Sequence, residues 1–418
     1  MEQITDFYRL MDESAMIRRT MADYYLAHMA QPTHLEFLKR IATTILNAPR
    51  DQEGLLKLKD EEGRSVLIKD DYETTELQKD IYFFEQGEAL FLNYLSEIHP
   101  GFGEELKQLY DFLGSEPYDV FLTDRDGTVN NYCGRYRSSV QSAYNAVYLS
   151  RFGKTVRQTP VILTSAPLME AGIRELCVIP EPLYVLAGSK GGEYSTFEGP
   201  RVARSIPAPV AEAMDSLNGK IEELLHHPAN RIFTQIGSGC QKKLGETTVA
   251  YQDVFGSIPE QDSRRFIDEV HKIVSDLSSE GHDIRIEDTG KDLELIPGSG
   301  GGADAGHTNA GHAGSAQHGH FTKGDGVKFL VEELGLDIAG KRILVCGDTE
   351  ADLAMVETAM SLGGEVSTVF VTNDKDLRRR VYETGARCEF VSSPDVLVTG
   401  LDRSVSGTGS SIGAQEKI

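Results

Sequence analysis

Apolar positions divide the chain into a helical first part and a second part in which strands and helices alternate. Up to about residue 115, apolar side chains recur at i, i+3 and i+4, as in segments 35–46 and 77–98, which predicts helices. From residue 118 onward, short apolar runs rich in β-branched residues alternate with helical stretches. These runs are predicted strands at 118–123, 160–164, 183–187, 342–346, 367–371 and 388–391. The alternation predicts an α/β fold with a doubly wound parallel sheet, covered by helices on both faces.

Between residues 188 and 320 the pattern changes, which indicates a second domain inserted into the first. Glycine-rich turns separate short polar strands from two longer predicted helices, near 208–226 and 260–280. These features are typical of an α+β domain. The predicted organisation is an N-terminal helical domain at 1–115, an α/β core at 116–187 and 321–402, an inserted α+β domain at 188–320 and a disordered tail at 403–418.

The end of the inserted domain, residues 298–320, consists mainly of Gly, Ala, His and Ser. Such a composition cannot bury a core, so we predict a mobile loop. The loop contains His307, His312, His318 and His320. Clustered histidines can bind transition metals, but ordering a glycine-rich chain around a metal has a high entropic cost. We therefore favour the loop interpretation over a metal site.

Composition and charge narrow the class of partner. The 418 residues include 65 acidic and 42 basic side chains, and the net charge of −23 would repel nucleic acid at long range. A small phosphorylated substrate is not excluded, because a bound cation and local donors can reverse the field in one pocket. No run approaches the ~18 apolar residues of a membrane span, and the N-terminal segment lacks a signal-peptide pattern. Five scattered cysteines without CxxC spacing favour reduced thiols, so we expect a cytoplasmic protein.

Candidate chemistry begins at the end of the first predicted strand, where Asp124-Arg125-Asp126-Gly127-Thr128 follows the apolar run. Ligand sites of open parallel sheets lie at the carboxyl ends of the strands. Two carboxylates two residues apart can both reach one pocket if Gly127 lets the chain turn. One could attack phosphorus, and the other could protonate the leaving oxygen and later take a proton from water.

Three further groups follow strands or precede a helix in the predicted core. Thr164 and Ser165 follow a strand and offer donors for phosphate oxygens. Lys323 precedes an amphipathic helix and would supply a positive charge for the nucleophile and for the phosphoryl group. Asp348 and Asp352 follow another strand, and with the first aspartate they predict a hard-oxygen site suited to Mg²⁺.

Each group also has an ordinary structural interpretation: an acidic turn, a strand-end hydroxyl, a solvated lysine or helix-capping carboxylates. Their order along the chain and their common place at strand ends favour a catalytic site instead. Phosphoryl transfer depends mostly on positioning and electrostatics, and this set of groups would provide both.

With these motifs the chain resembles the phosphatases of the haloacid dehalogenase (HAD) superfamily, which have a Rossmann-like core. The four motifs of that superfamily match at Asp124 and Asp126, Thr164, Lys323, and Asp348 and Asp352. The resemblance implies that Asp124 is a nucleophile that forms an aspartyl-phosphate, and that Asp126 is the general acid/base and binds Mg²⁺ through its backbone carbonyl. Asp348 would be a second metal-binding carboxylate and Asp352 a supporting one. The inserted domain resembles a type 2 cap, and Arg125 stands where most members have an apolar residue.

Two segments resemble the trehalose-6-phosphate phosphatases, and the helical first part is similar to that of the nematode enzymes in particular. The segments are 188–193, a glycine-rich entry to the cap, and 293–297, which precedes the motif lysine. The resemblance implies that Lys190 and Glu294 bind sugar hydroxyls from the cap side. The predicted substrate-binding residues are Ser165, Lys190, Glu193 and Glu294.

The resemblance implies an enzyme: a Mg²⁺-dependent phosphoric monoester hydrolase of trehalose biosynthesis, acting on trehalose 6-phosphate. One alternative is a phosphatase of another sugar phosphate, such as a sucrose, mannosyl-glycerate or glucosyl-glycerol phosphate. The other is a non-catalytic phospho-acceptor or regulatory protein that uses the acidic pocket. The expected partner is a small sugar phosphate, with neither nucleic acid nor membrane. The helical part could serve as an oligomerisation or protein-interaction module.

Overall fold

The computed structural model describes residues 1–29, 32–180, 183–196, 199–298 and 321–406. These residues form two compact units. The first comprises Met1–Arg204 and the chain from Thr322 onward, and the second comprises Ser205–Phe321. The predicted Gly/His-rich loop, apart from its first residue, and the chain after residue 406 lie outside the described residues.

The N-terminal part of the first unit is mainly helical, as predicted, but it also contains a β-hairpin. Its elements are α1 (Ile4–Leu26), α2 (Pro32–Leu46), β1 (Leu56–Lys59), β2 (Ser65–Ile68), α3 (Asp71–Ile98) and α4 (Phe102–Leu113). Strands β1 and β2 pair antiparallel and bury Leu56, Leu58, Val66 and Ile68. Four residues in each strand are too few for a period-2 alternation to stand out, so the sequence did not predict the hairpin.

The chain then enters the α/β core. The elements are β3 (Val120–Thr123), α5 (Ala143–Gly153), β4 (Pro160–Leu163), α6 (Ile173–Leu176), β5 (Val185–Gly188), β6 (Glu193–Thr196) and β7 (Val202–Ala203). β6 pairs antiparallel with β5, and β7 with β6. Through these pairings the backbone of β6 and β7 forms hydrogen bonds within the core sheet. The first unit therefore continues to Arg204. The predicted start of the inserted domain at residue 188 is therefore too early, and the second unit begins at Ser205.

The second unit is an α+β domain, as the sequence predicts. Its elements are α7 (Ala208–His226), β8 (Cys240–Lys243), β9 (Glu246–Ala250), α8 (Glu260–Ser279), β10 (Ile284–Asp288) and β11 (Asp292–Pro297). The strands form an antiparallel sheet in the order β10-β11-β9-β8. Both helices pack with one face of this sheet in a separate hydrophobic core that includes Leu217, Phe266, Val249 and Leu295.

The rest of the first unit completes the central sheet. Its elements are α9 (Lys323–Leu334), β12 (Arg342–Gly347), α10 (Leu353–Ser361), β13 (Glu365–Val371), α11 (Lys375–Glu383), β14 (Arg387–Val391) and α12 (Pro394–Ser406). The strand order is β14-β13-β12-β3-β4-β5-β6-β7, and the strands from β14 to β5 run parallel. All residues of β3, β4 and β5 are buried, as expected of strands covered on both faces. The predicted α/β fold class is confirmed, with two antiparallel strands added at one edge.

Helix α12 extends into the segment predicted as a disordered tail. It ends at Ser406, so residues 403–406 are helical. Val396, Leu397 and Leu401 are buried, and the helix packs on α4 and α5. Apolar residues at helical spacing stabilise this segment against the core. The Ser- and Gly-rich composition that follows the helix makes the predicted disordered tail begin too early.

The N-terminal helical part and the α/β core pack together in one compact unit. Helix α1 packs against α5. A buried ion pair also joins the two parts, because Lys79 Nζ of α3 lies 2.9 Å from Asp395 Oδ1 of α12. His99 Nε2 lies 2.6 Å from the same carboxylate. Removing one partner of such a buried pair would leave an uncompensated charge, so these contacts tie the two parts together.

All five cysteines are free thiols in the described structure, in agreement with the predicted absence of a disulfide framework. Within the described ranges, no helix combines the length and the apolar character that crossing a bilayer requires.

Candidate active site

The carboxyl ends of three neighbouring strands bring the predicted motifs to one edge of the central sheet. β3 lies between β12 and β4, and all three run parallel. Asp124 directly follows β3, Thr164 follows β4 and Asp348 follows β12. Parallel pairing therefore places these three residues at the same edge, where open α/β sheets bind their ligands.

Helix α9 brings Lys323 to this edge. Thr322 and Asp325 form a capping box, in which Thr322 Oγ1 accepts from Asp325 N and the Asp325 carboxylate accepts from Thr322 N, so the helix begins at Lys323. The Lys323 side chain is only 5% exposed. Its Nζ donates to Asp124 Oδ1 at 2.5 Å and to Asp352 Oδ1 at 2.6 Å. One buried ammonium thus offsets part of the charge on two buried carboxylates.

Three carboxylates meet beside this ammonium. One oxygen from each of Asp124, Asp348 and Asp352 lies within 4.8 Å of the others. Thr128 Oγ1 lies 3.3 Å from Asp124 Oδ2 and 3.1 Å from Asp348 Oδ1. Gly127 makes this approach possible, because its φ is +87° and a Cβ there would lie 2.1 Å from Asp348 Oδ2. The glycine that the sequence singled out as a turn residue is thus required by both its backbone angle and the available space.

Burial and like charges change the pKa values of these carboxyl groups. Burial, reinforced by Asp352 and opposed by Lys323, raises the pKa of Asp124 to about 7. Burial and the neighbouring aspartates raise the pKa of Asp348 to about 8. Burial also disfavours the charge of Asp352, but Lys323 and backbone amides hold its pKa below the usual value. Carboxylates that repel one another in this way fit a hard divalent cation such as Mg²⁺, which would offset the repulsion.

Asp352 has a supporting position in this group. While its Oδ1 accepts from Lys323, its Oδ2 accepts from the backbone N–H groups of Asp348 at 3.1 Å and Thr349 at 2.9 Å, and from Thr349 Oγ1 at 2.9 Å. These bonds hold the turn after β12. Asp352 is therefore better placed to orient Asp348 than to ligate a metal directly.

Asp126 is held by two neighbours that were not predicted as site residues. Ser139 Oγ donates to Asp126 Oδ1 at 2.8 Å, and the Arg125 guanidinium pairs with the same oxygen. Burial disfavours the charge of Arg125, but the Asp126 carboxylate holds the pKa of that guanidinium above its ordinary value. In the sequence, Arg125 stands out only because most members of the superfamily have an apolar residue at that position. Ser139 lies in an irregular loop, where no periodic pattern marks it.

The residues after β4 and β5 are tied together. Thr164 is buried, its N–H donates to the Ala187 carbonyl at 2.9 Å, and its Oγ1 accepts from Ala166 N at 3.2 Å. Lys190 N donates to the Thr164 carbonyl at 2.9 Å. The sequence predicts Lys190 on the cap side, but Lys190 belongs to the first unit, because β6 returns the chain to the core sheet. Ser165 is half-buried beside Thr164.

Glu193 has a structural role in place of the predicted substrate contact. It is 3% exposed. Its Oε1 accepts from Ser189 Oγ at 2.5 Å and from Leu168 N at 3.2 Å, and its Oε2 lies 2.7 Å from Arg201 Nε. The carboxylate thus joins the segment after β4 to the turn after β5, and both of its oxygens have partners within the first unit.

Glu294 lies in the second unit, on a central strand of its sheet. The register aligns Glu294 with Thr248 on β9, and Thr248 with Gln241 on β8. Leu293 and Leu295 pack in the core with the helices, so strand alternation places the Glu294 row on the opposite face.

Two known protein families match the chain, one in its N-terminal helical part and one in most of the rest. The family described as trehalose-6-phosphate phosphatase, C-terminal, matches residues 121–397, which is more than half of the chain. The family described as the trehalose-6-phosphate phosphatase N-terminal helical bundle domain matches residues 3–102.

Individual relatives and one solved structure are also similar to the chain. The chain is 31% identical to alpha,alpha-trehalose-phosphate synthase (UDP-forming) 2 of Aphelenchoides avenae, over 96% of this chain and 31% of that protein. It is 30% identical to a trehalose-phosphatase of Caenorhabditis elegans, over 66% of this chain and 61% of that protein. The solved C-terminal domain of a C. albicans trehalose-6-phosphate phosphatase aligns with a TM-score of 0.42 and 14% identity, over 72% of this chain and 96% of that one. The chain thus spans about a third of the first relative's length. On the family match to residues 121–397, the chain belongs to the trehalose-6-phosphate phosphatase family.

Proposed function

We propose that this chain is a Mg²⁺-dependent phosphatase that hydrolyses trehalose 6-phosphate through an aspartyl-phosphate on Asp124. The observation that carries the proposal is the buried contact of Lys323 Nζ with Asp124 and Asp352, next to Asp348. A carboxylate nucleophile, a fixed ammonium and an acidic metal pocket are what phosphoryl transfer through a covalent intermediate requires. Family membership supports the choice of substrate.

The reaction would take place in two steps, the phosphorylation of Asp124 and the hydrolysis of the aspartyl-phosphate. An oxygen of Asp124 attacks phosphorus while the bond from phosphorus to the 6-oxygen of the sugar breaks, and Asp126 gives that oxygen a proton to release trehalose. Asp126 then takes a proton from water, whose oxygen attacks phosphorus and displaces the Asp124 carboxylate as phosphate leaves. Lys323 offsets charge on the phosphoryl oxygens, and Thr164 and Ser165 offer hydrogen-bond donors to them.

Mg²⁺ would be held by the carboxylates of Asp124 and Asp348 and by the backbone carbonyl of Asp126, with Asp352 supporting the site. When bound, the ion would offset negative charge on the phosphoryl oxygens. This assignment is supported by the chemistry of the acidic cluster and by the glycine that lets Asp348 approach the turn after β3.

Asp348→Asn should raise the Mg²⁺ concentration for half-maximal activity by about 10-fold to 100-fold or more, since even outer-shell changes at metal sites cost that much. Affinity for Mg²⁺ in the wild type should also rise from pH 6 to pH 8, because the raised pKa of about 8 makes protons compete with the metal at Asp348. Calorimetric Mg²⁺ titrations and activity at graded Mg²⁺ measure both effects. Glu350→Gln is the control, since Glu350 is half exposed and pairs with Arg380. Equal Mg²⁺ dependence in both variants would remove Asp348 from the site.

The test of the substrate is a panel of sugar phosphates with Mg²⁺. We expect the kcat/KM of trehalose 6-phosphate to exceed those of sucrose, mannosyl-glycerate and glucosyl-glycerol phosphates. No preference among them would refute trehalose 6-phosphate as substrate and leave a general sugar phosphatase.

Glu294 should contribute to sugar recognition from the polar face of the second unit's sheet. Glu294→Gln should raise the KM for trehalose 6-phosphate by about 10-fold, since a hydrogen bond to a charged group contributes about 1.5–3 kcal/mol. The KM for p-nitrophenyl phosphate, which has no sugar, should not change. Glu287 pairs with Glu294 in the register but is exposed on the outer strand β10, so Glu287→Gln is the matched control. Equal effects of the two substitutions would argue against a specific contact by Glu294.

A further inference from the structure

We propose that Tyr72, on α3 of the N-terminal helical part, is a positioning residue for Asp126 and acts through Asn130 and Ser139. The inference rests on the proposed acid/base role of Asp126. It gives the N-terminal part a task in catalysis, in addition to any role in assembly.

The Asp126 carboxyl group is oriented through one of its oxygens. Ser139 Oγ and the Arg125 guanidinium both bind Oδ1. Among the described residues, no hydrogen bond reaches Oδ2. Fixing Oδ1 therefore sets the direction of Oδ2, which is the oxygen available to hold a transferable proton. A general acid is effective only within hydrogen-bond reach of the leaving oxygen, so this orientation matters for the rate.

Ser139 can donate to Asp126 because its other contacts are donors. Arg125 Nη1 donates to Ser139 Oγ at 3.1 Å, and Asn130 Nδ2, which also lies 3.1 Å from the Asn131 carbonyl, donates to the same atom at 3.2 Å. Since a hydroxyl has a single hydrogen and two acceptor sites, these two contacts direct the hydrogen of Ser139 to Asp126. Arg125, Asn130 and Ser139 are each at most 2% exposed, so water does not replace these bonds.

Tyr72 contacts both ends of the loop that contains Ser139. Its hydroxyl has two acceptors within reach, the Val140 carbonyl at 2.8 Å and Asn130 Oδ1 at 3.2 Å, and it donates to the nearer one while accepting from Asn130 Nδ2 at 3.0 Å. Burial raises the pKa of Tyr72 well above its ordinary value, so the hydroxyl keeps the hydrogen that it donates. One side chain from α3 therefore sets the amide of Asn130 and the backbone next to Ser139.

Two acidic residues of the same helix contact the loop as well. Glu73 accepts a hydrogen bond from Ser138 Oγ at 2.5 Å, and Glu76 accepts one from Asn131 Nδ2 at 3.0 Å. These contacts fix the loop on α3, and Tyr72 is the member of the group whose partners reach Asp126. Of the three, it is therefore the residue whose loss should affect proton transfer.

Tyr72→Phe in the full chain should separate proton transfer from folding. The sugar oxygen leaves phosphorus as a strongly basic alkoxide and needs a proton, whereas p-nitrophenolate leaves without one. kcat/KM reports the first half of the reaction, in which Asp126 acts as the acid. We expect kcat/KM for trehalose 6-phosphate to fall about 10-fold. This is a part of the rate enhancement of about 10²-fold to 10⁴-fold that general acid catalysis supplies. The value for p-nitrophenyl phosphate should stay within about twofold.

Tyr82→Phe is the matched control, because Tyr82 lies on the same helix and stacks on Tyr94. It should affect neither substrate. A double-mutant cycle gives a second measurement. Ser139→Ala should lower kcat/KM for trehalose 6-phosphate at least as much as Tyr72→Phe does. Adding Tyr72→Phe to Ser139→Ala should lower it little further, because both residues act on one chain of contacts.

Equal losses for the two substrates, no loss for either, or additive losses in the cycle would each overturn the positioning role. Activity on p-nitrophenyl phosphate also shows that a variant is folded. A wild type without activity on trehalose 6-phosphate would refute the proposed function before any variant is compared.

Discussion

Asp124→Asn should stop the release of phosphate from trehalose 6-phosphate, lowering the turnover rate by on the order of 10⁴-fold or more. A neutral carboxamide cannot form the aspartyl-phosphate. Its oxygen can still accept a hydrogen bond from Lys323, whose Nζ lies 2.5 Å from Asp124 Oδ1, so the chain should remain folded. Released phosphate, measured at saturating Mg²⁺, gives the turnover rate.

Asp111→Asn is the control for this substitution, since Asp111 is exposed on α4 and lies outside the motifs. Phosphate release that survives in Asp124→Asn would exclude Asp124 as the nucleophile. A wild type that accumulates phosphorylated Asp124 without turnover would favour the phospho-acceptor alternative.

The same substitution should change how the stability of the metal-free protein depends on pH. The folded pKa of Asp124 is about 7, above the value of about 3.9 in an unfolded chain. Between these values the folded state binds more protons, so the wild type loses stability as the pH rises from about 4 through 7. Asparagine does not titrate and has no such loss. Urea unfolding in EDTA measures the free energy of unfolding at pH 5 and at pH 8. This free energy should decrease less between the two pH values in the variant than in the wild type, and equal decreases would contradict the raised pKa.

Lys323→Met should destabilise the protein by about 3–5 kcal/mol at pH 7 and lower turnover by on the order of 10²-fold or more. Asp352 is fully buried, and the substitution leaves its carboxylate without the ammonium that lies 2.6 Å away. The pKa of Asp352 is held low by Lys323, so this stabilisation is present above about pH 4 and is lost as the pH falls further. The penalty measured by urea unfolding should therefore shrink in acid.

Lys328→Met is the matched control for this second prediction, because Lys328 lies on the same helix with a side chain that is 60% exposed. Its effect should stay within about 0.5 kcal/mol. Adding Asp352→Asn to Lys323→Met should restore part of the lost stability by removing the unpaired charge, without restoring activity. A Lys323→Met protein as stable as the wild type at pH 7 would show that the buried ion pair does not hold the site together.

Most of the core could be predicted from the sequence, because buried parallel strands are apolar throughout. The runs that end before Asp124, Thr164 and Asp348 have this composition, and each is a strand of the central sheet. The sequence pattern places the antiparallel strands β6 and β7 in the inserted domain instead, because β6 is largely polar and β7 has only two residues. Neither strand has an apolar run of its own, and their place in the sheet depends on the pairing of β6 with β5 and of β7 with β6.

The centre of the candidate site was predictable for a related reason. Neighbouring parallel strands end at one edge of a sheet, so Asp124, Thr164 and Asp348 had to lie close together once they followed such strands. Lys323 joined them because a local capping box starts its helix at that position. In each case a pattern within a few residues was enough.

Other features depended on contacts between distant parts of the chain. Glu193 reads as a polar residue in a glycine-rich segment, yet it is buried and bound to Ser189, Leu168 and Arg201. Ser139 and Tyr72 lie 13 and 54 residues from Asp126 in the printed sequence, and no spacing links them.

The sequence by itself therefore determined the type of sheet, the order of the motifs and the group of acidic and basic residues at its carboxyl edge. Local hydrophobic periodicity and turn chemistry suffice for these, because they act over a few neighbouring residues. Only the tertiary structure decided which polar side chains support Asp126, that Glu193 turns inward, and that α3 packs on the loop after the first motif. Those contacts join residues far apart in the chain, and they form only when the packing of the whole unit brings their hydrogen-bonding groups into a buried place where each needs a partner.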